Sequence, residues 1–333
     1  MSDMHTIQDK APLRARLILK DTQDWAALTG EQAVALREKA ARMQSSRMAR
    51  VIAGLPDRRA RIEERTLDLP GRRLRLRVHR PRNAGPRAPL ILSFHGGGFI
   101  AGTPEQNDWL NSHLAAHCPA VVVSVDYRLA PRHPLPEPID DGYDTLVRIL
   151  EDPGGWGVDP AAVAVLGESA GGTLAALITL RARKNGPPIH AQALTCPATD
   201  WTDALADYPS IAANTGHPGI SLPKMLAARR LSLPEGLDAR SVSPVRYEDL
   251  SGLPPALIVT GALDLLEDQG ARYAERLRAD GTDARVVRYP KAVHAFLSMP
   301  GLIPAAGPAR HEILTFLRGH LHPEAGSPKA GGR

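Results

Sequence analysis

The sequence predicts an α/β chain built on a mostly parallel eight-stranded sheet, covered by helices on both faces. Three observations carry that expectation. From residue 89 onward, short apolar runs without polar alternation recur: PLILSF (89–94), AVVVSV (120–125), AVAVLG (162–167) and ALIVTG (256–261), joined by the less regular AQALTC (191–196) and ARVVRY (284–289). Strands that are apolar on both sides belong to a parallel sheet buried on both faces. Between them lie helical stretches at 107–116, 139–150, 170–184 and 269–279, as crossovers between parallel strands require. Finally, 333 residues with 43% hydrophobic and 23% charged match an ordinary globular composition.

The elements follow in order. Residues 1–20 contain no continuous apolar segment, so a signal peptide is not expected. Residues 31–54 place Val34, Leu36, Ala40, Met43, Met48, Val51 and Ile52 at helical spacing, with a break expected near Ser45–Ser46 and an end at Gly54. The runs 61–69 and 73–80 follow, and in the second Leu74, Leu76 and Val78 alternate with arginine. That alternation predicts a half-exposed antiparallel pair at a sheet edge. Residues 198–250 are rich in Pro, Gly, Ser and Asp; so long a break in a regular α/β pattern is expected to be an inserted helical cap rather than loop. The expected division is N-terminal cap helices in 1–55, a core in 56–197 and 251–321, the cap insertion in 198–250, and a disordered tail in 322–333.

Composition excludes several classes. No run approaches the ~20 apolar residues of a membrane-spanning helix. Only Cys118 and Cys196 are present, which rules out a disulfide-rich scaffold and suits a reducing, cytoplasmic setting. The net charge of +5 hides an asymmetry: residues 1–90 carry 20 Lys/Arg against 10 Asp/Glu. Aromatic residues at 4% leave little for base stacking, and no nucleic-acid module is evident. The basic N-terminal quarter is therefore expected to be a solvated surface.

The chemistry concentrates in two glycine-rich turns. Gly167-Glu168-Ser169-Ala170-Gly171 directly follows an apolar strand and opens a helix, the context of a nucleophile elbow. A strand turning sharply into a helix strains the serine, and glycines two before and two after remove clashing side chains. His95-Gly96-Gly97-Gly98 stands at another strand end. Consecutive glycines let the amides of Gly96 and Gly97, with that of Ala170, converge on an oxyanion. The rival reading of Gly96-x-Gly98-x-x-Ala101 as a dinucleotide fingerprint fails, because Gly102-Thr103-Pro104 stands where a helix should open. After the serine, Asp264 lies beyond the strand ALIVTG and His294 beyond ARVVRY, in the order Ser…Asp…His. Asp268 and Glu267 are expected to be first-turn charges of a helix. His113 and His117 have the spacing of a zinc motif, but Leu114 stands where the catalytic glutamate belongs. No metal is expected.

Together His95-Gly-Gly-Gly-Phe99, Asp126-Tyr-Arg-Leu-Ala-Pro131, Gly167-Glu-Ser-Ala-Gly-Gly172, Gly261-x-x-Asp264-x-Leu-x-Asp268 and His294 resemble the bacterial hormone-sensitive-lipase-like esterases of the α/β-hydrolase superfamily. The resemblance spans roughly residues 60–320. It implies an α/β-hydrolase fold with a helical cap, and a serine carboxylesterase acting on short-chain acyl esters through an acyl-enzyme. The triad would be Ser169, His294 and Asp264, with no cofactor. It also implies a small-molecule ester as partner and a homodimer through 284–289 and 308–321. Trp201, Tyr208 and Met43 are the cap residues expected to line the substrate site. Three positions depart from the family: Arg132 stands where it usually has glutamate, Glu168 replaces its usual aspartate, and Ala295 its usual glycine. An amide or N-acetyl hydrolase with the same triad is one alternative. A ligand-binding protein on the same fold is the other, against which His294 argues.

Overall fold

A computed structural model describes residues 10–44, 46–83, 85 and 87–322. Of the tail expected to be disordered, all but His322 lies outside the described residues, as do the first nine residues of the segment screened for a signal peptide.

Eight strands form one sheet: β1 (Ala60–Leu69), β2 (Arg72–Pro81), β3 (Ala88–Phe94), β4 (Val121–Asp126), β5 (Val158–Glu168), β6 (Ala191–Thr195), β7 (Ala256–Gly261) and β8 (Ala284–Tyr289). Their order is β1-β2-β4-β3-β5-β6-β7-β8. β2 runs antiparallel to β1 and β4, and all other pairs are parallel. β5 begins four residues earlier than its apolar run. Val158 and Asp159 pair with Ala88 and Pro89 before the register shifts to Leu90 with Val163; the polar residues between form a bulge that breaks the hydrophobic pattern.

Residues alternate between two cores because strand side chains alternate between faces. Leu90, Leu92, Val123 and Val165 face one core, and Ile91, Val122, Ala164 and Leu166 the other. The helices are α1 (Leu13–Ile18), α2 (Gly30–Gln44), α3 (Arg47–Ala53), α4 (Asp108–His117), α5 (Glu137–Glu151), α6 (Pro153–Trp156), α7 (Ala170–Asn185), α8 (Pro209–Asn214), α9 (Leu222–Ser232), α10 (Glu267–Ala279) and α11 (Ala306–Leu321). α5, α7 and α10 pack on the first face through Leu146, Leu174 and Leu277. α4 and α11 cover the second through Leu114 and Ile313. Ser46 caps α3, accepting from the Ala49 amide at 3.1 Å, which places the helix break where the serines predicted it.

The arginines of β2 are not the free solvated charges expected. Arg72 donates to Asp141 and Asp144, both at 2.6 Å. Arg75 reaches Glu105 at 2.5 Å and Asp126 at 2.8 Å. Arg77 forms a fork on Asp108, both bonds at 2.7 Å, and Arg80 meets Glu63 at 2.9 Å. The carboxylates come from β1, β4, α4, α5 and the short 3-10 turn at 104–107, which only the folded chain brings together. Partly buried guanidiniums need such partners.

Candidate active site

The chain crosses from β5 to α7 in a single residue. Ser169 sits at φ +56°, a left-handed conformation costly for a non-glycine residue. A Cβ on Gly167 would lie 2.0 Å from the Gly171 carbonyl oxygen, and one on Gly171 2.2 Å from that of Phe94. Both positions therefore admit only glycine. The turn leaves Ser169 at the N-terminus of α7 and at the carboxyl ends of β5 and the adjacent β3, where this sheet's strand order reverses.

Asp264 follows β7 and His294 follows β8. The three side chains meet across 125 residues of sequence. His294 Nε2 lies 2.9 Å from Ser169 Oγ, and its Nδ1 lies 2.9 Å from both carboxylate oxygens of Asp264. With Nδ1–H donated to the carboxylate, Nε2 keeps its lone pair for the serine hydroxyl. Asp264 is fully buried, and Ser169 and His294 are each 6% exposed. Further bonds hold the acid: Oδ1 accepts from the Leu266 amide at 2.9 Å, and its own carbonyl accepts from Asn214 Nδ2 at 2.9 Å. The Cys196 thiol also adjoins Asp264, and burial pushes that thiol well up, out of reach of ionisation. Asn214 and Cys196 carry no sequence signal for this role.

Gly96 and Gly97 come to the same point from β3. A Cβ on Gly96 would stand 3.3 Å from Ser169 Cβ, and Gly97 has φ +129° with the Ala101 carbonyl oxygen 2.0 Å from an added Cβ. Among the described residues the amides of Gly96 and Gly97 donate to no backbone acceptor. Buried His95 holds this turn: its Nδ1 bonds the Gly96 carbonyl at 2.9 Å and its ring stacks on Tyr127 at 4.2 Å. Glu168 is buried beside the nucleophile. Burial raises its carboxyl, against the pull of the Ser298 hydroxyl, which donates to Oε1 at 2.7 Å. Ser298 was not legible as a partner because it lies 130 residues away.

A cavity of about 490 Å³ opens over Ser169 and His294, walled by α2, α9 and the loops at 21–28 and 198–205. Trp201 lines it, its indole nitrogen donating to Thr173 Oγ1 at 3.0 Å. Tyr208 does not. Its hydroxyl donates to Asp200 at 2.9 Å, and its ring lines a separate surface depression beside Arg246. The Asp200–Arg246 pair, 2.6 Å apart, draws the tyrosine away. Met43 belongs to α2, but its side chain lies outside the described residues. Trp25 and Lys224, which the sequence did not single out, are part of the wall.

His113 and His117 on α4 meet Asp57. Arg59 Nη2 bonds both His117 Nε2 at 2.9 Å and Asp57 at 3.2 Å, so a cation of the chain itself already sits against these groups. The family profile described as alpha/beta hydrolase fold matches residues 91–298. Esterase LipI of Mycobacterium tuberculosis is 38% identical over 269 residues, covering 79% of this chain and 83% of its own length. Carboxylesterase NlhH of the same organism is 37% identical over 272 residues with the same coverage. The hyperthermophilic esterase from Pyrobaculum calidifontis superposes with a TM-score of 0.83 at 31% identity, covering 93% of this chain and 98% of that one. Strand order, elbow and sequence similarity agree: the chain belongs to the α/β-hydrolase family, among its hormone-sensitive-lipase-like esterases.

Proposed function

We propose that the protein hydrolyses carboxylic esters of short acyl chains through an acyl-enzyme on Ser169. The observation that carries this is the unbroken hydrogen-bonded line from Ser169 Oγ through His294 to buried Asp264. His294 Nε2 takes the hydroxyl proton as Oγ attacks the ester carbonyl, and Asp264 stabilises the imidazolium that forms. The amides of Gly96, Gly97 and Ala170 receive the oxyanion; each such donor contributes about 10²–10³ in rate. His294 then protonates the departing alcohol. Water, deprotonated by the same nitrogen, attacks the acyl-enzyme, and the acid leaves as Oγ regains its proton. The sequence needs neither metal nor cofactor.

α2, α3 and the 198–250 segment act in this reading as the cap, with Trp201 setting acyl length. A cavity of about 490 Å³ suits a small ester. Among the described residues no helix is long and apolar enough to cross a membrane, and the two free, buried cysteines support a cytoplasmic setting. β8 ends the sheet, which supports a dimer along β8 and α11; a monomer at micromolar concentration in sedimentation would remove that part. The decisive test is a fluorophosphonate probe with intact-mass and peptide analysis. A single adduct on Ser169 is expected, and labelling that survives Ser169→Ala overturns the assignment.

A further inference from the structure

The cavity carries two cations that hydrolysis does not use. Arg37 from α2 and Lys224 from α9 both line it. Among the described residues neither makes a hydrogen bond or ion pair with a carboxylate, in contrast to the arginines of β2. The acids that act on them, Asp21 on Lys224 and Glu38 and Asp126 on Arg37, do so without contact. Asp21, the carboxylate nearest in effect to Lys224, accepts from the Trp25 indole at 2.5 Å and the Gln23 amide at 3.1 Å. Lys224 lies instead over the Trp25 ring, 5.1 Å from its centre. Arg37 feels Glu38 and Asp126, but Asp126 is bonded to Arg75, and Arg132 repels it. The acids of the cavity wall are also spoken for, Asp200 by Arg246 and Glu168 by Ser298.

Much of the remaining wall is apolar, including Trp25, Leu28, Leu36 and Met225. Cations without a carboxylate in contact are costly in such surroundings, and burial pulls both groups below their ordinary range. An anion on the ligand would relieve that cost. Positive charge beside low-dielectric walls also raises the local concentration of an anionic substrate.

Resting on the hydrolase reading above, we infer that the preferred substrates are esters bearing one free carboxylate, bound by Lys224 with Arg37 adding positive potential. The carboxylate belongs either to the acyl part, as in half-esters of dicarboxylic acids, or to the alcohol part, as in acyl esters of hydroxy acids. The chemistry recognised is the same in both.

The test compares kcat/KM for mono-p-nitrophenyl adipate with that for p-nitrophenyl hexanoate, which differ in a terminal carboxylate against a methyl. A second arm compares O-acetylglycolate with ethyl acetate by pH-stat. In at least one arm the anionic:neutral ratio should fall about tenfold in Lys224→Met, largely through KM, since a charge-assisted hydrogen bond contributes roughly that factor or more. Arg37→Met should lower the same ratio less. Lys39→Met, an exposed lysine on α2 outside the cavity wall, serves as control and should leave it unmoved. Ratios unchanged by Lys224→Met and Arg37→Met in both arms overturn the proposal. So does an equal fall in Lys39→Met, which would mark a general field effect. A wild-type protein that hydrolyses none of the four esters fails the serine-hydrolase reading itself, whereas neutral turnover with an unmoved ratio fails only the carboxylate.

Discussion

The basic excess of this chain is spent in two different ways. On β2, Arg72, Arg75, Arg77 and Arg80 each find carboxylates on neighbouring elements. In the cavity wall, Arg37 and Lys224 share the lining with apolar side chains and Ser169, without such partners. A paired, half-buried charge holds elements together, and removing one partner strands the other. An unpaired charge beside a cavity contributes little to the fold and is available to a ligand. The contrast separates groups that keep the sheet in register from groups that choose what enters it.

Substitutions on each side should therefore move different observables. Ser169→Ala should lower kcat on p-nitrophenyl acetate by about 10⁴–10⁶ while leaving the thermal midpoint within a few degrees; retained turnover would break the comparison at the catalytic end. Gly97→Ala comes next. With φ +129° and the Ala101 carbonyl in the way, an added methyl should displace the oxyanion turn and cost about 10²–10³ in kcat, measured against KM to separate binding from chemistry. Arg77→Met should act in the opposite sense. It removes the fork on Asp108, whose carboxyl Arg77 and His79 hold low against the pull of burial. About 2–3 kcal/mol of stability should be lost in urea denaturation, with kcat changed less than threefold if the sheet edge is purely structural.

The smallest effect is read in pH. Burial pushes the Glu105 carboxyl up, but hydrogen bonds from Arg75 and Thr103 outweigh it and hold it at about 2. Its folded value lies below the unfolded one of about 4.3, so its stabilisation is complete above that value and disappears as pH falls toward 2. Wild type should exceed Glu105→Gln by roughly 1–2 kcal/mol at pH 7, after allowance for solvent screening. The gap should close between pH 4 and 2. A gap independent of pH would assign Glu105 to packing rather than charge.

Legibility followed the range of the forces involved. The eight strands and the helices between them appear as local hydrophobic periodicity, and all eight were found within a few residues, β5 alone beginning well before its apolar run. The elbow was visible because its sterics are local: Gly167 and Gly171 clash with atoms of their own turn or the adjoining strand. Ser169, Asp264 and His294 stand out by chain order at strand ends, and in the structure His294 lies 2.9 Å from each of the other two. Tyr208 was misplaced because its direction depends on Asp200 and Arg246, a pair distant in sequence. Ser298, Asn214 and Trp25 carry no motif, and their roles arise from approaches across the fold.

What the sequence determined by itself is the reaction machinery: glycine at turns that exclude any side chain, a serine between strand and helix, and an acid and histidine after the last strands. Those features depend on covalent geometry and hydrogen-bond valence, which act within a few residues. Which charges are neutralised and which face the substrate was decided only by the tertiary structure. Coulomb energy depends on separation and burial in space, and the basic N-terminal quarter, uniform in sequence, is divided by folding into a paired sheet edge and part of an unpaired cavity wall.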